Sequence, residues 1–270
     1  MEATEFLAQR LRVPLDPILR DEDEDGFPDL VEQFYGTMAN DASSSPRALR
    51  IEEDFSSQSP GPLISGPWKA ESSGKSVTWS GAGNFLADGI QFEKNGKSLA
   101  SSGGSFRTIG EHSVGASFHP ADLELPPAGV TYVSFVMRNP EEELAGCFAG
   151  LLFYQNDREE LFVGKIGTEN SYGSRFRQAE IHDGFGIPMD HEPHLFVIRI
   201  DRNRLVTDVF MDPTPGSDEK DAKYQFRYQR VPRADRIEVR SGCPGRTFQS
   251  DFDEIRVGLT WKSVVPVKLD

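Results

Sequence analysis

Tyr132-Val133-Ser134-Phe135-Val136-Met137-Arg138 decides the fold class of this chain. Alternate residues can face a core while the others face a second surface, which is the two-residue period of a β-strand. Working outward, the same reading gives candidate strands at Ala48–Phe55, Ser76–Ser80, Gly89–Phe92, Thr131–Arg138, Phe148–Gln155, Glu160–Gly164 and Phe176–His182. Further strands follow at His194–Asp201, Leu205–Asp212, Lys223–Tyr228, Arg236–Ser241 and Phe252–Gly258. Gly, Pro, Asn and Asp clusters separate them at turn-like spacing. Many strands with no long helix imply a mainly β protein, an antiparallel β-sandwich or jelly roll.

Before Arg47 the pattern differs. Residues 2 to 12 read as a short helix with Phe6, Leu7 and Leu11 on one side, interrupted by Pro14 and Pro17. A helical turn through Leu30, Val31, Phe34 and Tyr35 stops near Gly36, and Asp41-Ala-Ser-Ser-Ser-Pro46 has the composition of a linker. The expected division is therefore an α-helical segment over 1–46 and a β domain over 47–270.

Within the first segment, Asp21-Glu-Asp23-Glu-Asp25-Gly26-Phe27-Pro28-Asp29-Leu-Val-Glu32 fits the calcium-loop pattern D-x-[DN]-x-[DN]-G-x5-E at every defined position. Ca²⁺ is a hard cation that takes six to eight oxygens. Asp21, Asp23 and Asp25 would point inward and Gly26 would permit the sharp turn. Phe27 would offer its carbonyl, Asp29 a carboxylate directly or through water, and Glu32 a bidentate carboxylate. The alternative is a solvated acidic run. Pro28 has no N–H to pair with a second hand, which argues against a calmodulin-like sensor.

The net charge of −14 over 270 residues argues against nucleic acid and anionic membranes and favours divalent cations. No apolar stretch reaches membrane-spanning length, so no membrane insertion is expected. Met1–Leu7 has neither a basic nor an apolar leader region, which leaves an intracellular protein or a chain without its leader. Cys147 and Cys243 are the two cysteines, either one disulfide or two small buried hydrophobes.

Two resemblances sharpen this. The string from Asp21 through Gly36-Thr37 and Asn40-Asp41-Ala42 resembles thrombospondin type 3 or dockerin loops, which implies a structural Ca²⁺ with Asp41 as an added ligand. Ile51-Glu-Glu-Asp-Phe-Ser-Ser57, Thr131–Arg138, Phe148–Phe153, Glu160–Lys165, His194–Asp201, Val209–Gly216 and Phe252–Trp261 follow the order of a known family. They resemble the LamG-like, concanavalin A-like jelly rolls of planctomycete-type bacterial surface proteins. The resemblance implies an extracytoplasmic location, a glycan or cell-surface polymer as partner, and a second Ca²⁺ between the first and last strands. The matching positions for it are Glu53 or Asp54 and Asp253.

No catalytic set is compact in the sequence. The E-x-D-x-x-E motif of jelly-roll glucanases is missing. In Glu180-Ile-His-Asp183 the acids are three apart and face opposite sides of a strand. Asp157-Arg-Glu-Glu160 reads as a polar turn, and His191-Glu-Pro-His194 lacks helical presentation for zinc. The expected function is thus non-catalytic carbohydrate binding or adhesion. A glycoside hydrolase or lyase, with Glu180, Asp183 and Glu160 as the acids, is the enzymatic alternative, and a structural scaffold is the third. For sugar stacking the aromatic candidates are Trp68, Trp79, Trp261, Tyr172 and Phe185. Tyr172 and Phe185 stand out because both lie beside Gly in apparent loops.

Overall fold

The structure, a computed structural model, describes residues 20–56, 58–70, 77–110, 114–118, 126, 128–140, 146–167, 169–176 and 183–269. The side chains of 63–70, 77–80, 110, 114, 116, 118 and 183 are likewise outside the description. The helix expected over 2–12 lies outside the described residues, as do Glu180 and His182 and the rings of Trp68 and Trp79.

The described chain is mainly β. After α1 (Asp29–Tyr35) come β1 (Leu49–Glu53), β2 (Gly61–Ala70), β3 (Val77–Leu86), a small hairpin of β4 (Glu93–Lys94) and β5 (Lys97–Ser98), β6 (Ser105–Gly110) and β7 (Val114–Phe118). Then follow β8 (Val130–Arg138), β9 (Phe148–Gln155), β10 (Arg158–Lys165), β11 (Ser171–Phe176), β12 (Asp183–Pro188), β13 (His194–Asp201) and β14 (Val206–Met211). The chain closes with β15 (Tyr224–Tyr228), β16 (Arg236–Gly242), β17 (Phe248–Gly258) and the short α2 (Trp261–Val264). No described helix is long and apolar enough to cross a membrane.

One antiparallel hydrogen-bonded path runs β12-β11-β10-β9-β16-β7-β3-β6-β17-β8-β13-β14-β15. It folds over at β3, which pairs with β7 through Ser80–Gly81 and with β6 through Asn84–Leu86. This yields a front layer (β12 to β7) and a back layer (β6 to β15). Their facing sides share one core that includes Leu151, Phe153 and Val163 from the front and Phe135, Phe196 and Phe252 from the back. Ring contacts join the layers directly, Tyr172 to Phe196 at 5.7 Å and Phe176 to Tyr228 at 5.2 Å. The core strands match the alternating runs in the sequence, because β-branched and aromatic side chains at every second position bury one face.

The far side of the back layer is sealed. Ile90, Phe92 and Leu99 from the loop before β6, together with Trp261, Val264 and Val265, cover Tyr132, Val136, Leu195 and Val197. The strand expected at Gly89–Phe92 is not formed, since the Ile90 amide donates to the Asp253 side chain at 2.7 Å instead of to a neighbouring strand. Cys147 and Cys243 form a disulfide beside the paired residues Phe148 and Gly242, so it clips β9 to β16.

The helical segment is seated on the sandwich. Phe27, Val31 and Leu259 form a buried cluster with Tyr35 and Ala48 against it. The Arg50 guanidinium lies 4.3 Å above the Tyr35 ring. Few contacts were expected across this boundary; the apolar face of α1 supplies them, since Val31 has nowhere else to bury.

Candidate functional site

The acidic loop turns on its own backbone. Asp21 Oδ2 accepts from the Gly26 amide at 3.0 Å, Asp23 Oδ1 from Asp25 at 3.3 Å, and Asp25 Oδ1 from Phe27 at 2.8 Å. Gly26 has φ of +96°, a conformation that glycine adopts without strain. Each aspartate thus commits one oxygen to the turn. The second oxygens, Asp21 Oδ1, Asp23 Oδ2 and Asp25 Oδ2, are buried without a hydrogen-bond partner, and so is Glu32 Oε2. These are the orphaned carboxylate oxygens among the described residues. The three aspartates each present a ligand atom within 4.8 Å of the others. Burial raises the pKa of Asp23 and Glu32, and the charges of Asp25 and Asp21 on the first, and Asp23 and Asp25 on the second, add to it. Unpartnered buried carboxylate oxygens are costly, and a donor set of four carboxylates suits a hard dication.

Two expected ligands sit differently. Asp29 Oδ1 accepts from the Glu22 amide at 2.9 Å and Oδ2 lies 3.3 Å from Arg20, so this carboxylate braces the loop from outside. Asp41 gives Oδ1 to the Ser43 amide and hydroxyl.

The positions expected to hold a second Ca²⁺ lie in a hydrogen-bonded carboxyl cluster. Asp253 Oδ2 accepts from Ile90 and Oδ1 from the Glu254 amide, each at 2.7 Å. Asp54 accepts from Ser56 and from the Ser102 hydroxyl. Glu53 Oε1 accepts from Phe55. Burial, then the Glu254 charge, pushes Asp253 up to about 9, against the pull of the Ile90 and Glu254 amides. Arg256 pairs with Glu254 and Glu52, not with Asp253. A bulge shifts the register between Asp253 and Arg256, and the Glu254 amide within it turns to Asp253, while the other donors come from Ile90, Phe55, Ser56 and Ser102.

The aromatic expectations also change. Tyr172 belongs to β11, its ring is fully buried, and its hydroxyl reaches Asn139 Nδ2 at 3.3 Å. It is a core residue and presents no stacking face. Trp261 is buried, donating Nε1 to Ser217 O at 3.0 Å. Phe185 is a half-buried β12 residue packed against the core. His194 is buried between Asp212, at 2.8 Å from Nδ1, and Asp190, at 2.8 Å from Nε2, as an ion-paired core histidine.

The outer face of the front layer carries the remaining site. Cross-strand register places Gly173, Gly164, Gly150, Arg240 and Gly115 in one row across β11, β10, β9, β16 and β7. Residues opposite one another share a face. The row therefore carries no side chain until Arg240, and Gly150, Gly164 and Gly173 are buried between the flanking rows. A Cβ on Gly150 would lie 2.2 Å from Val163 O, and one on Gly164 would lie 2.2 Å from Ala149 O. The bend of the sheet thus requires glycine and produces the trench. One wall is the adjoining row Arg175, Phe162, Leu152 and Glu238. Ile166 and Phe148 stand on the other side. Phe148 and Phe162 meet across the glycine row with ring centroids 6.2 Å apart, and these apolar side chains floor a groove of about 430 Å³ that Glu159, Arg175 and Arg240 also line. Leu152, Phe162 and Ile166 are buried beneath it, and Phe148 is half-buried at its edge.

Polar groups frame the groove. Arg175 grips Glu159 with two bonds of 2.7 Å. Arg240 Nη1 donates to the Tyr154 hydroxyl, and Arg236 lies 4.5 Å above the Tyr154 ring while bonding Asp157. Burial raises the pKa of Glu238 against the opposing pull of Arg240 and Arg236. Glu159, not the expected Glu160, lines the groove. The signal for this site was present only as isolated glycines inside strand patterns, which mark close backbone approach.

No family model matches the sequence, and no curated protein does. Among solved structures, the binding domain of botulinum neurotoxin serotype D/C VPI 5993 aligns with a TM-score of 0.50 and 10% identity, over 83% of this chain and 50% of that one. A structure of botulinum neurotoxin type C, whose passage into cells depends on interaction with two ganglioside molecules, gives 0.50 at 9% identity over 83% and 49%. Trypanosoma rangeli sialidase gives 0.48 at 14% identity over 80% and 32%. The chain spans about half the length of the neurotoxin chains it matches. At 9–10% identity the neurotoxin likeness establishes a shared β-sandwich fold.

Proposed function

We propose that this chain is a calcium-stabilised, extracytoplasmic carbohydrate-binding module. The observation that carries the reading is the groove: an apolar floor of Phe148, Leu152, Phe162 and Ile166, framed by guanidinium and carboxylate groups. Sugars bind where apolar surface meets a few fixed planar hydrogen-bonding groups. The disulfide supports an oxidising compartment. The orphaned oxygens of Asp21, Asp23, Asp25 and Glu32 support Ca²⁺ in the N-terminal loop. The ion would neutralise the loop and fix α1 against Leu259, away from the groove, so its role is structural. The ganglioside dependence of neurotoxin type C is compatible with glycan recognition on such a fold and adds no residue to the argument.

A hydrolase is the second reading. Glu159, paired with Arg175, lines the groove, and Glu238, its pKa raised by burial, lies beside Arg240; a pair of carboxylates is what glycoside hydrolysis needs. A glycan array probed with the wild type and with Phe148→Ala, alongside a reducing-sugar assay, separates the two. Binding weakened in the variant with no sugar release supports the module. Sugar release abolished by Glu238→Gln makes it an enzyme.

A further inference from the structure

We infer that the groove selects a carboxylated saccharide, with Arg240 as the group that receives the carboxylate. This deepens the carbohydrate-binding reading and rests on it. The groove is lined by Glu159, Arg175 and Arg240, and Glu238 lies beside Arg240, so the site is charge-balanced on a chain of net charge −14.

The three guanidinium groups at this face are not equivalent. Arg175 is saturated by its two-pronged bond to Glu159. Arg236 is engaged by Asp157 at 2.8 Å and lies over the Tyr154 ring. Arg240 makes its hydrogen bond to a neutral acceptor, the Tyr154 hydroxyl, at 2.9 Å. Its Nε is buried without a hydrogen bond, 3.5 Å from Glu238 Oε1. A guanidinium has five N–H donors in a planar fork that matches a carboxylate. Arg240 lines the groove together with Leu152 and Phe162, so a sugar ring lying on the apolar floor meets its fork. A neutral sugar leaves that fork partly unpaired; a uronic or sialic acid fills it.

The test is calorimetric titration of the full chain in Ca²⁺ with matched pairs: a galacturonate oligomer against the neutral galactose oligomer, and sialyllactose against lactose. Wild type is expected to bind one acidic member about tenfold or more tightly than its neutral partner. Which pair responds separates uronic from sialic acid. Arg240→Gln should erase that preference. Arg240→Lys, which keeps the charge without the fork, should retain part of it. Should Arg240→Gln fail to fold, Arg240→Lys decides, together with loss of the acidic preference in high salt. Equal binding of acidic and neutral sugars, or a preference unchanged in both variants, overturns the inference and leaves the glycan module standing. No binding of any saccharide overturns both.

Discussion

Arg240 donates from Nη1 to the Tyr154 hydroxyl at 2.9 Å, joining β16 to β9 over the end of a glycine trench. Burial keeps the Tyr154 phenol protonated by raising its pKa, against the pull of Arg240. The pair therefore holds the guanidinium in place, with the Glu238 carboxylate 3.5 Å from its Nε.

The trench makes a stability prediction. Gly164 has φ of +150°, and its Cβ would meet Ala149 O at 2.2 Å. Gly164→Ala should cost about 2 kcal/mol or more, because backbone cannot yield as a flexible side chain does. Urea denaturation checks this, and a change under about 0.5 kcal/mol would show that the sheet bend does not require glycine there.

Calcium should raise the melting temperature. With a dissociation constant of about 10⁻⁴ M, about 10 mM Ca²⁺ adds about 2.7 kcal/mol. Asp21→Ala with Asp25→Ala should abolish the shift and the binding heat. An unchanged calorimetric isotherm in the double variant would refute the loop assignment.

Removing residues 1–46 should leave a cooperatively folding sandwich of lower stability. The deletion uncovers Leu259 and takes away Val31 and Phe27, and one such side chain is worth about 1.5–3 kcal/mol of burial. Aggregation without a cooperative melt would mean that the segment is part of the core.

His194 should give stability a pH dependence. Burial alone would lower its pKa, but the hydrogen bonds and charges of Asp212 and Asp190 outweigh it and raise the value above 6.5. Tyr172, whose ring stacks 4.6 Å away, stays neutral. The folded state thus binds the proton more tightly than the unfolded one. Its contribution is complete below about pH 6.5 and disappears as pH rises through the raised value. His194→Gln should flatten this part of the profile; an identical slope in the variant would exclude the ion-paired histidine as its source.

The disulfide should contribute about 2–4 kcal/mol, since it closes a long loop between β9 and β16. Equilibrium unfolding of Cys147→Ala with Cys243→Ala, compared with wild type, measures it. Equal stability would contradict a formed bridge.

What the sequence revealed follows from the range of each signal. The alternation in Tyr132–Arg138 and His194–Asp201 is local, and both segments are strands as expected. The Asp21–Glu32 spacing is also local, and its aspartates do converge. Tyr172 misled because Gly173 and Ser174 look like a loop, although Tyr172, Ser174 and Phe176 alternate as a buried strand face. The trench was illegible for a different reason. Gly150, Gly164, Gly173 and Arg240 lie on four strands, and only their register brings them into one row. Asp253 was correctly read as buried, but its partners come from Ile90, 163 residues away.

The central claim is that a saccharide lies in the groove above the glycine row, on Phe148 and Phe162. Amide NMR of the Ca²⁺-loaded chain, titrated with its best-binding oligosaccharide, tests this most directly. The account predicts that the largest shifts fall on Gly150, Gly164, Gly173 and the Arg240 side chain. Shifts confined to the acidic loop or to β12, with the glycine row unmoved at saturation, would contradict it.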